Sequence, residues 1–370
     1  MSPFRTGVMG VSLIVVSVFS SDSSSQTLTL RNLESVDATR ISFDEDAIVT
    51  AKGRRIWWDH VLRGTVKPSQ QQQFDRLLAD IGTPLFRIRH RLAVGDYEAL
   101  AETSEKLLAQ YPQTSPNEKN CRAMFLASVG SYFARIENGK REHATLALIQ
   151  ASQLVIRFPE LKNEQLPKDL TVREIEACFA QSLPPIWFGK NSAATTFSKL
   201  QDRYWKNDAP EWQGIRDGNL VYAASLAIAA ENVLADDCLD ELRRRSSTIC
   251  KSWLPILQAY QELVSEQPGI AIATLEKNLV RLTGAQRAVA QYLSGLSNGL
   301  LNKQYDTGML KLLYVPAVFG DRFRHISSAA LFHAAKFAAS SEHHLESKSL
   351  KLELKNRYPN SHHAKLFRSK

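Results

Sequence analysis

Nine histidines, four cysteines and one run of acids beside arginines are the residues of this 370-residue chain with chemistry to offer. His325, His333, His343, His344, His362 and His363 crowd the C-terminal end. On a helix, His325 and His333 would stand about two turns apart, too far to share one ion, and the side chains of adjacent histidines diverge. The pattern predicts no metal site but a basic surface that gains charge as the pH falls toward about 6. Cys121, Cys178, Cys238 and Cys250 show neither Cys-x-x-Cys nor zinc-type spacing. Cys238 and Cys250 read as members of one helix, about 18 Å apart and beyond disulfide reach. Cys121 and Cys178 are then the one pair left to bridge, and four buried thiols are the expectation. Asp236, Asp237, Asp240 and Glu241 stand ahead of Arg243, Arg244 and Arg245. That order suits the dipole and side-chain pairing of a solvated helix better than acid–base catalysis. No glycine loop of the phosphate-cradling kind and no His-Glu-x-x-His occurs, so the residues predict no catalysis and no cofactor.

The elements that position these residues follow from length, composition and punctuation. With 44% hydrophobic and 23% charged residues the chain has ample apolar material for a core, which excludes a disordered chain. Arg5, the apolar stretch from Gly7 to Phe19 and the serines from Ser20 to Ser25 have the order of a signal peptide. The apolar stretch is shorter than the roughly 18–20 residues that span a bilayer. Residues 1–20 are read as a leader cut after Ser20, the alternative being an uncleaved anchor. The expectation is a bacterial protein exported to the periplasm or secreted, with no integral span after cleavage. No cysteine follows the apolar stretch to take a lipid.

Residues 21–67 read as a small β-rich module and linker. Thr27 to Leu30 alternates, Arg40 to Phe43 leads into the acidic turn Asp44-Glu45-Asp46, and Lys52-Gly53 turns the chain before Arg55-Ile56-Trp57-Trp58. Four short strands bury little, so Trp57 or Trp58 is expected to lean on the helical body. From residue 68 to 370 helical periodicity dominates. It is broken at Gly82-Thr83-Pro84, Gly95-Asp96, Tyr111-Pro112, Asn138-Gly139, Phe158-Pro159, Pro184-Pro185, Gln267-Pro268-Gly269, Thr283-Gly284 and Tyr358-Pro359.

Within this region Leu92 to Leu100, with Gly95-Asp96-Tyr97 at its centre, followed by Glu105-Lys106-Leu107-Leu108 and Tyr111-Pro112, resembles the second half of a tetratricopeptide repeat. Leu100 and Ser104 replace the family's small and aromatic residues, and the 34-residue period is not kept elsewhere. The resemblance implies a mostly α fold, an α-solenoid of antiparallel helix pairs, in which each pair buries the face the last one leaves open. It implies binding of a protein or peptide partner in the cell envelope.

Two surfaces are candidates. Residues 184–215 read as an aromatic insertion carrying Trp187, Phe188, Tyr204, Trp205 and Trp212, either a recognition loop or a buried cap. From Ser341 to Lys370, Lys and Arg outnumber Glu seven to three, within a net charge of +8. Lys348, Lys351, Lys355, Arg357, His362, His363, Lys365 and Arg368 form that basic end. It supports an alternative function, binding of a polyanion such as a polysaccharide, an acidic lipid or a nucleic acid. A further alternative is an α-helical toroid enzyme whose carboxylates follow no known pattern.

Overall fold

The computed structural model describes residues 26–111, 116–204, 213–320 and 322–367. The expected leader at residues 1–20, and Pro112 of the repeat-like unit, lie outside them. The described residues are mostly helical, with the strands confined to the N-terminal part. Six strands take the place of the four expected, in two three-stranded antiparallel sheets. In one, β1 (Thr27–Leu30) lies between β2 (Ser35–Asp37) and β6 (Val61–Thr65); in the other, β4 (Ala47–Thr50) lies between β3 (Ile41–Phe43) and β5 (Arg55–Trp57). β2 and β6 gave no alternation to read, because β2 buries no residue and β6 buries Val61 alone. Sheets this small need a second surface to cover them. Trp58 supplies it: fully buried, its ring packs 5.8 Å from Phe43 and 5.3 Å from Phe74 on the first helix. Its Nε1 donates to the carbonyl of Asp44 at 2.7 Å.

That helix, α1 (Pro68–Leu77), begins on a proline at its first position, where no N–H is missed. The expected break at Gly82-Thr83-Pro84 does not occur. A π-helical turn over Leu78–Gly82 carries α1 directly into α2 (Thr83–Val94). Pro84 has no N–H to give the carbonyl of Asp80, and Gln110 Nε2 donates to it instead, at 3.1 Å. Gly95 stops α2 with φ of +76°, a left-handed value that favours glycine. There follow α3 (Leu100–Leu108), α4 (Cys121–Glu137), α5 (Arg141–Arg157), α6 (Val172–Glu176), α7 (Lys190–Tyr204), α8 (Gln213–Ala229), α9 (Ala235–Arg244) and α10 (Thr248–Val264). The C-terminal part comprises α11 (Pro268–Glu276), α12 (Gly284–Leu300), α13 (Tyr305–Phe319), α14 (Arg324–Ser340), α15 (His344–Arg357) and α16 (His362–Leu366).

Sequence neighbours pack on one another: α3 on α4, α4 on α5, α12 on α13, α13 on α14 and α14 on α15. The joints of three or four residues in the last four of these pairs make those helices antiparallel. Between α12 and α13 the backbones nearly touch, since a Cβ on Gly308 would lie 2.4 Å from the Cα of Gly299. The row of helices also returns on itself. A Cβ on Gly139, in the α4–α5 turn, would stand 3.2 Å from the carbonyl oxygen of Asn360, in the α15–α16 joint. The ring of Phe188 lies 4.6 Å from that of His363 in α16.

Cys238 and Cys250 lie on different helices, α9 and α10, not on one. Ser247 interrupts the run by capping α10, its Oγ accepting from the N–H of Cys250 at 3.3 Å. All four cysteines are buried and unbridged. Burial pushes the thiols of Cys121, Cys178 and Cys238 up to about 12. The charge run of α9 behaves as a solvated helix should, with Arg243 pairing Asp240 and Arg245 pairing Glu241.

A buried ionic cluster fastens the β-module to the helical body. Arg122 of α4, 3% exposed, places Nη1 2.8 Å from Asp59 Oδ1 and Nε 2.6 Å from Glu164 Oε1. Its guanidinium lies 4.7 Å over the ring of Trp57. Arg89 of α2 also pairs with Asp59. Burial works against the Asp59 carboxylate, but the charge and hydrogen bonds of Arg122 and Arg89 outweigh it and hold the group below the usual carboxylate range. Removing one partner of such a cluster leaves the other charge buried and unpaired. Arg122→Met is expected to lower unfolding free energy in urea by about 3–5 kcal/mol. Lys106→Met, which breaks the exposed Lys106–Glu102 pair, should cost less than about 1 kcal/mol. Equal costs for the two variants would refute the clamp.

Candidate binding surfaces

The two sequence-nominated groups separate into core and surface. Trp187 is 3% exposed, its Nε1 donating to Ser225 Oγ at 2.7 Å while its carbonyl accepts from Tyr260 Oη at 2.8 Å. Phe188 is half-buried between Tyr292 and His363. The side chains of Tyr204, Trp205 and Trp212 lie outside the described residues. Residues 184–215 are not wholly an insertion, because α7 occupies their centre. Its buried Ala193, Thr196, Phe197 and Leu200 keep helical spacing among polar neighbours that masked it.

At the basic end, Lys348, Lys355, His362 and Lys365 are exposed. Lys351 extends its Nζ over the ring of Phe367 at 5.4 Å, and Arg357 pairs with Glu353 at 2.8 Å. Arg368 lies outside the described residues. His363 leaves this surface: 3% exposed, it is enclosed by Phe188, Phe332 and His333. The expectation that the histidines gain charge together near pH 6 is therefore corrected for three of them. Burial pushes His333 down to about 4 and drives His325 and His363 well below the usual imidazole range, with neighbouring cations adding to the effect.

A cavity of about 260 Å³ forms where the chain returns on itself, and residues from both nominated groups line it, Phe188 and His362 among them. Its other walls come from the α4–α5 turn, with Ile136, Arg141 and His143, and from the start of α14, with Arg324 and His325. Arg141 Nη2 donates to the carbonyl of Ser182 at 2.7 Å, and burial lowers its guanidinium to about 10. Sequence reading missed Arg141 and His143 because nothing local marks them; only the tertiary fold unites them with residues some 200 positions on. A larger cavity, about 820 Å³, lies between the β-module and α2, where the guanidinium of Arg31 stands 3.7 Å from the centre of the Phe86 ring.

Sequence reading also passed over α13. A helix apolar on all sides is ordinarily enclosed. This one buries Gly308, Leu312, Val315 and Pro316 and leaves Leu310, Tyr314 and Val318 exposed by 67%, 40% and 53%. Spaced by four residues, the three form a row along one face. Against the expectation that no Gly-x-Ser-x-Gly string occurs, Gly295 to Gly299 is one. In hydrolases that string makes a strand-to-helix turn that exposes the serine; here it lies inside α12 with Ser297 fully buried, and its glycines serve helix packing.

No protein-family model matches the chain, and no curated protein or solved structure proved similar to it. The site is therefore read from its own residues. Among the described residues no group of three or more His, Cys, Asp or Glu is placed to hold a metal ion. None of their helices is long and apolar enough to cross a membrane.

The buried histidines fix a pH dependence. Unfolded imidazoles take up protons below about 6.5, whereas the folded protein keeps His325, His333 and His363 neutral to lower pH. Their share of stability is thus intact above pH 6.5 and is lost as the pH falls toward 4, by about 1 kcal/mol per histidine per pH unit. In urea titrations from pH 7 to 4.5, His333→Gln should flatten the decline by that amount. A parallel decline would show that His333 is protonated in the folded protein.

Proposed function

We propose that the protein is a non-catalytic helical-repeat scaffold of the tetratricopeptide-like kind, exported to the cell envelope, that binds a protein or peptide partner. The observation that carries this reading is the apolar row Leu310, Tyr314 and Val318 on the solvent side of α13. Exposed apolar residues aligned on one rigid face mark a surface that another molecule covers. The solenoid half of the proposal is supported by the packing of sequence neighbours and by the left-handed Gly95 between α2 and α3. The partner's contact segment is apolar. A photo-reactive phenylalanine in place of Tyr314 should give a discrete adduct in native cell envelopes, and one in place of the exposed Arg76 of α1 should not. The adduct should vanish on adding Val318→Asp. No adduct, or the same adducts from both positions, rejects the reading.

A second reading rests on Lys348, Lys355 and Lys365, which are exposed and have no acidic partner within ion-pairing distance among the described residues. These residues fit a polyanion. Deleting residues 341–370 is a poor test, because Leu354, Tyr358 and Ala364 pack on Leu331 and Phe332 and their loss would uncover the core. Charge reversal tests it instead. The triple variant Lys348→Glu, Lys355→Glu, Lys365→Glu should elute from a heparin column at lower salt than the parent, with melting unchanged. Unaltered elution rejects this reading.

A further inference from the structure

The cavity of about 820 Å³ between the β-module and α2 is unevenly charged. Four cations, Arg31, Arg54, Arg89 and Lys168, line it together with two acids, Asp59 and Asp169. Arg54 is taken by Glu34, and Arg89 shares Asp59 with Arg122. Arg31 and the exposed Lys168 make no ion pair among the described residues. The Nε of Arg31 is closed off, but its two Nη nitrogens reach solvent and form no hydrogen bond among the described residues. Partial burial lowers its guanidinium from the usual arginine value; Asp59 opposes this, and the charge of the exposed Arg87 adds to it. Three cations, Arg31, Arg87 and Lys168, against one acid, Asp169, leave a surplus of two positive charges around one cavity.

We propose that this cavity binds a small phosphomonoester that carries a flat ring, the chemistry of a mononucleotide. A phosphomonoester bears about two negative charges at neutral pH, which matches the surplus, whereas a carboxylate bears one. Arg31 offers its accessible Nη pair as a planar fork, and Lys168 a mobile point charge. The guanidinium of Arg31 already rests on Phe86, 3.7 Å from the ring centre, so little freedom is lost when it takes up an anion. The ring of Phe86 lies nearly parallel to that of the exposed His90, at 5.8 Å and 12°, and Val94, Leu166 and Pro167 extend this apolar wall. A flat ring is held on such a surface by stacking and burial. The volume suits one small molecule of this kind. The site stands apart from the partner surface, since α13 contributes no residue to its lining.

Calorimetric titration of the full-length protein at constant ionic strength, near pH 7, is the test, with adenosine monophosphate, adenosine and inorganic phosphate as probes. The monophosphate should bind at least tenfold more tightly than either of the others, because it alone meets both the cations and the ring wall. Lys168→Glu, a change at an exposed side chain, should weaken its binding at least tenfold with melting unchanged. Ala93→Trp fills the cavity from an exposed position on its rim, leaves every charge in place and should abolish binding. Lys277→Glu makes the same charge change outside the cavity lining and should leave binding as it was. Absence of binding, adenosine or phosphate binding as tightly as the monophosphate, binding that survives Ala93→Trp, or equal weakening by Lys277→Glu overturns the proposal. The cross-linking result at Tyr314 is unaffected by any of these outcomes, so the two readings fail separately.

Discussion

Each helix here has an apolar face that its own hairpin cannot cover, and the demand that a later stretch of chain cover it governs the whole structure. The demand is greatest at α4, where every residue from Cys121 to Ala134 is buried, and at α14, buried continuously from Ile326 to Phe332. α4 is enclosed by α2, α3 and α5, and α14 by α12, α13, α15 and α16. The N-terminal sheets, too small to stand alone, join the body through Trp58 and the Arg122 cluster. Coverage continues until the α15–α16 joint reaches the α4–α5 turn, and a cavity of about 260 Å³ is the space left where they meet. On α13 the demand is not met along Leu310, Tyr314 and Val318, and that row is the reason to assign the face a partner.

Electrostatics follow from the same packing. A guanidinium fully buried in a helical body must bring its counter-charges with it. Arg122 does so with Asp59 and Glu164, and thereby ties the module to the body. Arg141 is only partly buried and gives one hydrogen bond, to the carbonyl of Ser182. The histidines follow a related logic. His333 and His363, enclosed by aromatic rings, serve as neutral packing groups.

Much of the architecture was legible because it is local. Gly95 and Gly139 stop helices with left-handed backbone, and Pro268 opens one, each at the place its residue type announces. The β-then-α order and the role of Trp58 were legible for the same reason. Reading failed where the deciding partner is distant in sequence. The Gly82–Pro84 break is bridged because Gln110 takes the Asp80 carbonyl, and α7 was hidden by polar residues whose burial depends on its neighbours. His363 has the composition of a surface residue and is buried by Phe188 and Phe332. The cavity is a wholly tertiary object, built from three stretches no pattern links. The solvent-facing row on α13 reads in sequence as core.

The closure of the helical row on itself is the claim on which the cavity depends, and a distance measurement reaches it directly. Spin labels on cysteines introduced at the exposed Lys140 and Asn360 report that separation, since the four native thiols are buried and unreactive. Pulsed dipolar spectroscopy of the full-length protein should return one narrow distribution at the short end of the measurable range. A broad distribution at long distance would mean an open row of helices, with no cavity between its ends.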